Sequence, residues 1–294
     1  MAITRAQLRQ LLQTSAPEFR VREVAALPVR DFRAERITFE TSDGATIRGI
    51  LVGPGASSDP GPAILYAHAH GAAYQIGANE LLEGRPALMS PLGPILAAAG
   101  YVVLCIDMPT FGERQAPGEP ALSKARLWYD GSLFGQMLSE QGAALAYLAG
   151  RPDVDPRRIG AFGISMGATL SYWLAAIDEC IAAVAHLCCY ADLATLVETG
   201  AHDLHGIYMT VPGLLGATST GEIAGLVAPR PQFIAVGETD PLTPPVAIDR
   251  ALVETRAAYG GGDALQVLRQ AGIGHKETPE MRAAVFDFFK RTLG

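Results

Sequence analysis

Between Arg158 and Leu174 a short apolar segment ends at Gly163, passes through Ile164-Ser165-Met166-Gly167, and continues into a small-residue pattern of helical character. That order predicts a strand, a sharp turn and a helix, with Ser165 at the apex. A side chain at Gly163 or Gly167 would hold strand and helix apart, so both glycines of this G-x-S-x-G have a steric reason to be there. With 11 serines and 32 glycines in 294 residues, chance alone supplies about 0.13 such motifs. The surroundings must decide its meaning.

Those surroundings alternate. Period-two patterning from Arg36 to Val52, broken by Ser42-Asp43-Gly44, predicts an antiparallel hairpin. Apolar runs at 63–67, 101–107, 181–187, 232–236 and 264–268 predict strands, the more continuous of them buried on both faces. Helical patterns fall at 90–99, 131–149, 245–258 and 279–292, and Leu8, Leu11 and Leu12 suggest a short amphipathic helix before them. The fold class is therefore α/β: a mostly parallel central sheet with helices on both faces and an N-terminal antiparallel hairpin. Residues 1–35 read as a helical extension with connectors around Pro17 and Pro28, and 36–294 as the α/β domain. Within it, 191–228 is loop-rich and long for a connection, which suggests a small lid-like insert.

Composition narrows the function. A net charge of −7 with no block of Lys and Arg argues against a nucleic-acid partner. No run is long and apolar enough for a membrane span, and residues 1–13 lack the apolar core of a secretory signal, so a cytoplasmic protein is expected. Cys105, Cys180, Cys188 and Cys189 sit in or beside apolar runs and match no zinc spacing, as expected of reduced, buried thiols. No cofactor is called for, and homo-oligomerisation is left open.

A serine hydroxyl becomes a nucleophile when a base takes its proton, and the base works best when a carboxylate fixes its tautomer. The run ending at Val236 leads into Gly237-Glu238-Thr239-Asp240-Pro241, and the run ending at Leu268 leads into Gly272-Ile273-Gly274-His275. Both groups would stand at the carboxyl edge of a parallel sheet, where ligands bind, in the chain order Ser, Asp, His. Glu238 and Asp249 are the substitutes for Asp240, both worse placed.

From about Arg36 onward the chain resembles the α/β-hydrolase superfamily. His70-Gly71-Ala72, Asp107 with Phe111-Gly112-Glu113-Arg114, Gly163-Ile164-Ser165-Met166-Gly167, Gly237-Glu238-Thr239-Asp240-Pro241 and Gly274-His275 are similar to its dienelactone-hydrolase-like, acetyl-esterase and prolyl-oligopeptidase-like branch. The resemblance implies the α/β-hydrolase fold, Ser165 as nucleophile, His275 as general base and acid, and Asp240 as orienting carboxylate. Dienelactone hydrolase proper carries cysteine where this chain has Ser165. The resemblance also implies an oxyanion hole from the N–H groups of Met166 and Ala72, and a structural role for the histidine of the 68–70 loop. That reading is preferred to a metal site built from His68, His70, His202 and His205, and no metal is expected. Asp107 is expected to stabilise its loop.

His70, Trp128, Tyr129, His202 and Tyr208 are the candidates for the substrate pocket, with aromatic residues roofing a mainly apolar space. The expected activity is hydrolysis of a small or medium carboxylic ester through an acyl-enzyme, with a small-molecule ester as partner. The alternatives are an exopeptidase or amidase of the prolyl-oligopeptidase-like type and a non-catalytic binding protein on the same fold.

Overall fold

The computed structural model describes residues 2–55 and 59–294. Among them nine strands form one sheet: β1 (Phe19–Ala26), β2 (Arg33–Thr41), β3 (Thr46–Gly53), β4 (Gly61–Ala67), β5 (Val102–Ile106), β6 (Val154–Ile164), β7 (Ala183–Leu187), β8 (Gln232–Gly237) and β9 (Leu265–Gln270). Their spatial order is β1-β2-β3-β5-β4-β6-β7-β8-β9. The ladders joining β1, β2, β3 and β5 are antiparallel, and every pairing from β5/β4 to β8/β9 is parallel.

The strands β5, β7 and β8 are buried along their whole length because helices cover both faces of the sheet. On one face lie the helices Leu133–Ala149 and Met166–Ile177, with Phe39, Phe134 and Trp173 in the core between them and the sheet. On the other lie Leu92–Ala98 and Pro279–Leu293, packing Phe162, Phe288 and Phe289. Among the described residues no helix is long and apolar enough to cross a membrane.

The N-terminal region corrects the expected division at residue 35. The boundary falls inside β2, and the connector expected around Pro17 and Pro28 contains β1, an edge strand of the same sheet. Its charged residues alternate with exposed valines, so no apolar face announces it. The ladder to β2 holds it instead, with Arg20 bonded to Glu40 at 2.7 Å, and charge on an edge strand discourages pairing with other chains. The predicted first helix is present as Arg5–Leu12, opened by a Thr4/Gln7 capping box. Leu8 and Leu12 are buried in the main core, and Arg9 donates from Nε to the carbonyl of Ile177 at 2.9 Å. A cation there complements the C-terminal end of the helix that Ser165 opens.

Strand order positions the site. The chain enters mid-sheet at β4, adds β5 on one side and returns to add β6 on the other, making a topological switch point between β4 and β6. Ala67 stands opposite Gly163 across that pairing, so the loop after β4 and the turn after β6 leave the sheet side by side.

Candidate active site

The G-x-S-x-G stretch folds as strand, turn and helix: β6 ends at Ile164 and the helix begins at Met166. Ser165 has φ 58° and ψ −126°, a conformation that residues bearing a Cβ seldom adopt and that costs of the order of 1–3 kcal/mol. The surroundings hold it there. Its N–H donates to the carbonyl of Leu187 at 2.9 Å, which fastens the apex to the end of β7. A Cβ on Gly163 would collide with the backbone of Gly167, and one on Gly167 with the carbonyl of Ala67. Both glycines are thus required by close approach.

Asp240 and His275 arrive from β8 and β9. The Asp240 carboxylate is buried; Oδ1 accepts from the N–H of Leu242 at 2.9 Å, and Oδ2 lies 2.7 Å from Nδ1 of His275. An ionised carboxylate only accepts, so the imidazole carries its proton on Nδ1 and presents Nε2 as an acceptor. Neither Glu238 nor Asp249 competes for that place, since Arg269 bonds to both. Ser165 and His275 line one narrow cavity of about 20 Å³, whose walls include Tyr172, Trp173, Leu196 and Tyr208. That volume is little more than a water requires. A larger hollow of about 670 Å³ lies elsewhere, between residues 14–19 and the helix Leu133–Ala149, and neither Ser165 nor His275 lines it.

The loop after β4 departs from expectation. Gly71 and Ala72 both have φ 52°, which curls the loop back so that the N–H of Ala72 donates to Nδ1 of His70 at 3.0 Å. Ala72 is exposed and does not line the Ser165 cavity, so the expected oxyanion donor is engaged by its own loop in this conformation. Accepting at Nδ1 leaves the His70 proton on Nε2, which donates to Oε2 of Glu119 at 2.6 Å. Met166, the other expected donor, is the first residue of its helix, where N–H groups have no intrahelical acceptor.

Glu119 is the group that the sequence did not reveal. It is almost fully buried, and besides His70 it accepts from the hydroxyl of Tyr74 at 2.8 Å and the N–H of Tyr208 at 3.0 Å. Burial pushes its carboxyl upward, but the hydrogen bonds from His70, Tyr74 and the Tyr208 N–H prevail and hold it below the usual carboxylate value. One carboxylate thereby joins the 70–74 loop to the insert. A Cβ on Gly206 would lie 2.8 Å from Oε1 of Glu119, so a glycine is needed where the insert crosses it. The only local hint in the sequence is Glu119-Pro120 at a helix start, which reads as ordinary capping.

The remaining candidates are scattered. Tyr208 lines the Ser165 cavity and stacks on His70 at 5.3 Å between centroids. Trp128 and Tyr129 are corrections: they are 89% and 85% exposed at the end of the helix Glu119–Trp128, whose buried side carries Glu119 and Ser123. His202 does not line the cavity and bonds to the carbonyl of Leu196 at 3.3 Å, whereas His205 does line it and bonds to the carbonyl of Leu242 at 3.0 Å. His68 is buried, its Nε2 accepting from the N–H of Met108 at 3.1 Å, and burial lowers its pKa to about 4. The four histidines considered for a metal thus have separate partners.

Asp107 ties the loop after β5 to its neighbours: it takes both Nε and Nη2 of Arg48 at 2.9 Å and the N–H groups of Ala78 and Glu113 at 2.7 and 2.9 Å. Glu80, buried under the 68–71 loop, accepts from Tyr66 at 2.5 Å and from the N–H of Ala69 at 3.0 Å and pairs with Arg85. Cys188 and Cys189 also line the cavity, but burial raises the thiol of Cys188 to about 12 and that of Cys189 well above its ordinary value. Thiols so shifted are not thiolates near neutral pH.

A G-x-S-x-G turn after β6, an aspartate after β8 and a histidine after β9, on a mostly parallel sheet with helices on both faces, are the arrangement of the α/β-hydrolase fold. The fold is shared with the glucuronoyl esterase from Solibacter usitatus, at TM-score 0.71 and 16% identity over 99% of this chain and 92% of that one. It is shared too with the acetyl xylan esterase from Paenibacillus sp. R4, at TM-score 0.69 and 19% identity over 98% and 93%. The model of the dienelactone hydrolase family matches residues 87–202. YtaP of Bacillus subtilis (strain 168), provisionally named a hydrolase, is 38% identical over 247 residues, covering 83% of this chain and 82% of its own. The chain belongs to the dienelactone hydrolase family.

Proposed function

We propose that the protein is a serine hydrolase that cleaves carboxylic esters with a small acyl group through an acyl-enzyme. The observation that carries this reading is the 2.7 Å contact of buried Asp240 with His275, whose ring lines the same cavity as Ser165 on its strained turn. His275 Nε2 takes the Ser165 proton as Oγ attacks the ester carbonyl. The N–H of Met166, at a helix N-terminus, meets the developing oxyanion. A second donor from Ala72 requires its N–H to leave Nδ1 of His70 as substrate enters. The tetrahedral intermediate expels the alcohol, which receives the proton from His275; water, deprotonated by the same ring, then releases the acid and restores Ser165. Serine rather than cysteine as nucleophile is supported by the raised thiols of Cys188 and Cys189.

The test is a panel of p-nitrophenyl esters of graded acyl length, with aminoacyl-p-nitroanilides alongside, on the wild type and Ser165→Ala. Turnover of the acetate is expected, with a loss of at least ~10³-fold in kcat on removing the hydroxyl. Unchanged ester turnover in Ser165→Ala, or turnover of anilides alone, would defeat the reading.

A further inference from the structure

The narrow cavity over Ser165 is not the end of the hollow. Beyond it, within the insert, lies a pocket of about 460 Å³ walled by residues including Val197, Ile207, Val211, Leu214 and Leu215. Leu193, Leu196, His205 and Met209 line both spaces, so the two adjoin across these residues. One of them, Met209, has the flexible thioether that repacks most readily.

Two features of the pocket indicate what it holds. The first is exposure: Val197, Ile207 and Leu215 are 51%, 38% and 46% exposed, clustered apolar surface of the kind that marks a binding site when it adjoins a cavity. The second is charge. No Lys or Arg lines the pocket; its titratable residues are Asp203, His202 and His205, and each of these histidines bonds to a backbone carbonyl. Nothing there would anchor a carboxylate or phosphate, and few polar groups are left for the hydroxyls of a sugar.

We infer that this pocket takes the alcohol arm of the ester, and that the arm is an uncharged alkyl or aryl group. The substrate class is then an ester of a short acid with an apolar alcohol, the short acyl group filling the space above Ser165. The inference rests on the esterase reading of Ser165. It also separates this chain from those of its structural neighbours that are named for xylan esters. Burial of each added methylene is expected to raise kcat/KM about three- to fourfold until the pocket is full.

The experiment uses acetates of ethanol, butanol, hexanol and octanol, with an acetylated sugar as the polar comparison. Wild type, Val197→Trp and Leu215→Trp are compared, both substitutions being at exposed positions that the fold should tolerate. Binding of octyl acetate to Ser165→Ala is measured by calorimetry, so that occupancy is read without turnover. The inference expects kcat/KM to climb along the series and both tryptophan variants to cut the octyl-to-ethyl ratio at least tenfold. It expects Ser165→Ala to bind octyl acetate, and Ser165→Ala/Leu215→Trp to bind it at least tenfold more weakly. A flat series with ethyl acetate still hydrolysed, a preference for the sugar acetate, or an unchanged ratio in both variants overturns the pocket and leaves the esterase reading standing. No turnover of any ester by wild type overturns the esterase reading and this inference with it.

Discussion

The two sides of the cleft are built differently. On the elbow side, Ser165, Asp240 and His275 stand one to five residues beyond strand ends, and main-chain contacts fix them: Ser165 N–H to Leu187, and β8 packed so closely on the His275 loop that a Cβ on Gly237 would strike the carbonyl of Ile273. On the other side, the 70–74 loop and the insert are joined through one side chain, Glu119, which takes His70 and Tyr74 from the loop and the Tyr208 N–H from the insert. A site fastened by backbone is rigid by construction, whereas one fastened by a single carboxylate can be released by a single change. Under the proposed function, the elbow side is therefore the place for bond chemistry, and the opposite side the place where admission and oxyanion geometry are set.

The largest effect belongs to the elbow side. Asp240→Asn keeps the size of the side chain but offers a donor to Nδ1, so the ring no longer has its proton fixed there and Nε2 is lost as a base. A fall of up to ~10⁴-fold in kcat is expected with little change in KM. Steady-state kinetics on p-nitrophenyl acetate reads it, and a loss under tenfold would mean that the carboxylate does not set the tautomer.

Glu119→Gln addresses the other side, with a smaller expected effect. The amide keeps one acceptor oxygen but loses the charge that takes His70, Tyr74 and the Tyr208 N–H together. A fall in kcat of ~10- to 100-fold is expected, the size of one misplaced positioning contact. Hydrogen exchange should quicken in 70–74 and 204–210 together, while β8 and β9 are unaffected. Quickening in only one of the two segments would show that Glu119 does not join them.

The same contrast explains what could be read in the sequence. Ser165 and His275 sit between or beside glycines, and Asp240 sits in a proline-rich turn after an apolar run, so strand order alone brings them to one edge. Glu119 escaped because its partners are 45 to 89 residues away and no local pattern distinguishes it from a helix-start glutamate. β1 escaped because its side chains make no apolar face. Ala72 lies in the loop after β4, and the positive φ at 71 and 72 that turns its N–H onto His70 has no signature in Gly-Ala-Ala. The motifs therefore expose one wall of the cleft and hide the other.

Both walls rest on a sheet with buried neutral histidines, and this sets an acid limit common to them. Burial lowers the pKa of His68 to about 4 and that of His186 to about 3, with Nε2 of His186 accepting from the side-chain amide of Gln232 at 2.9 Å. In the unfolded chain these rings take a proton near pH 6.5, and in the folded protein only well below it. Stability is then full above about pH 6.5 and falls as pH drops toward 4, by up to ~1.4 kcal/mol per pH unit for each ring, about a factor of ten in the folding equilibrium. Urea midpoints at pH 7, 6 and 5 should decline in step, ahead of most carboxylate titration. A constant midpoint over that range would remove these histidines as the cause.

The smallest effect is expected where an aromatic pair looked most suggestive. Trp128 and Tyr129 end the helix that Glu119 begins, but three turns of helix carry them out to solvent, 89% and 85% exposed. Tyr208, by contrast, is buried against His70 and lines the Ser165 cavity. Trp128→Ala and Tyr129→Ala should each leave kcat/KM on short esters within about twofold and stability within about 0.5 kcal/mol, as for surface positions without partners. Tyr208→Ala should cost several-fold in kcat/KM through lost packing on His70. If Trp128→Ala were to cost as much as Tyr208→Ala, the helix would have to present its far end to substrate, and the opposite side of the cleft would extend well beyond the contacts that Glu119 gathers.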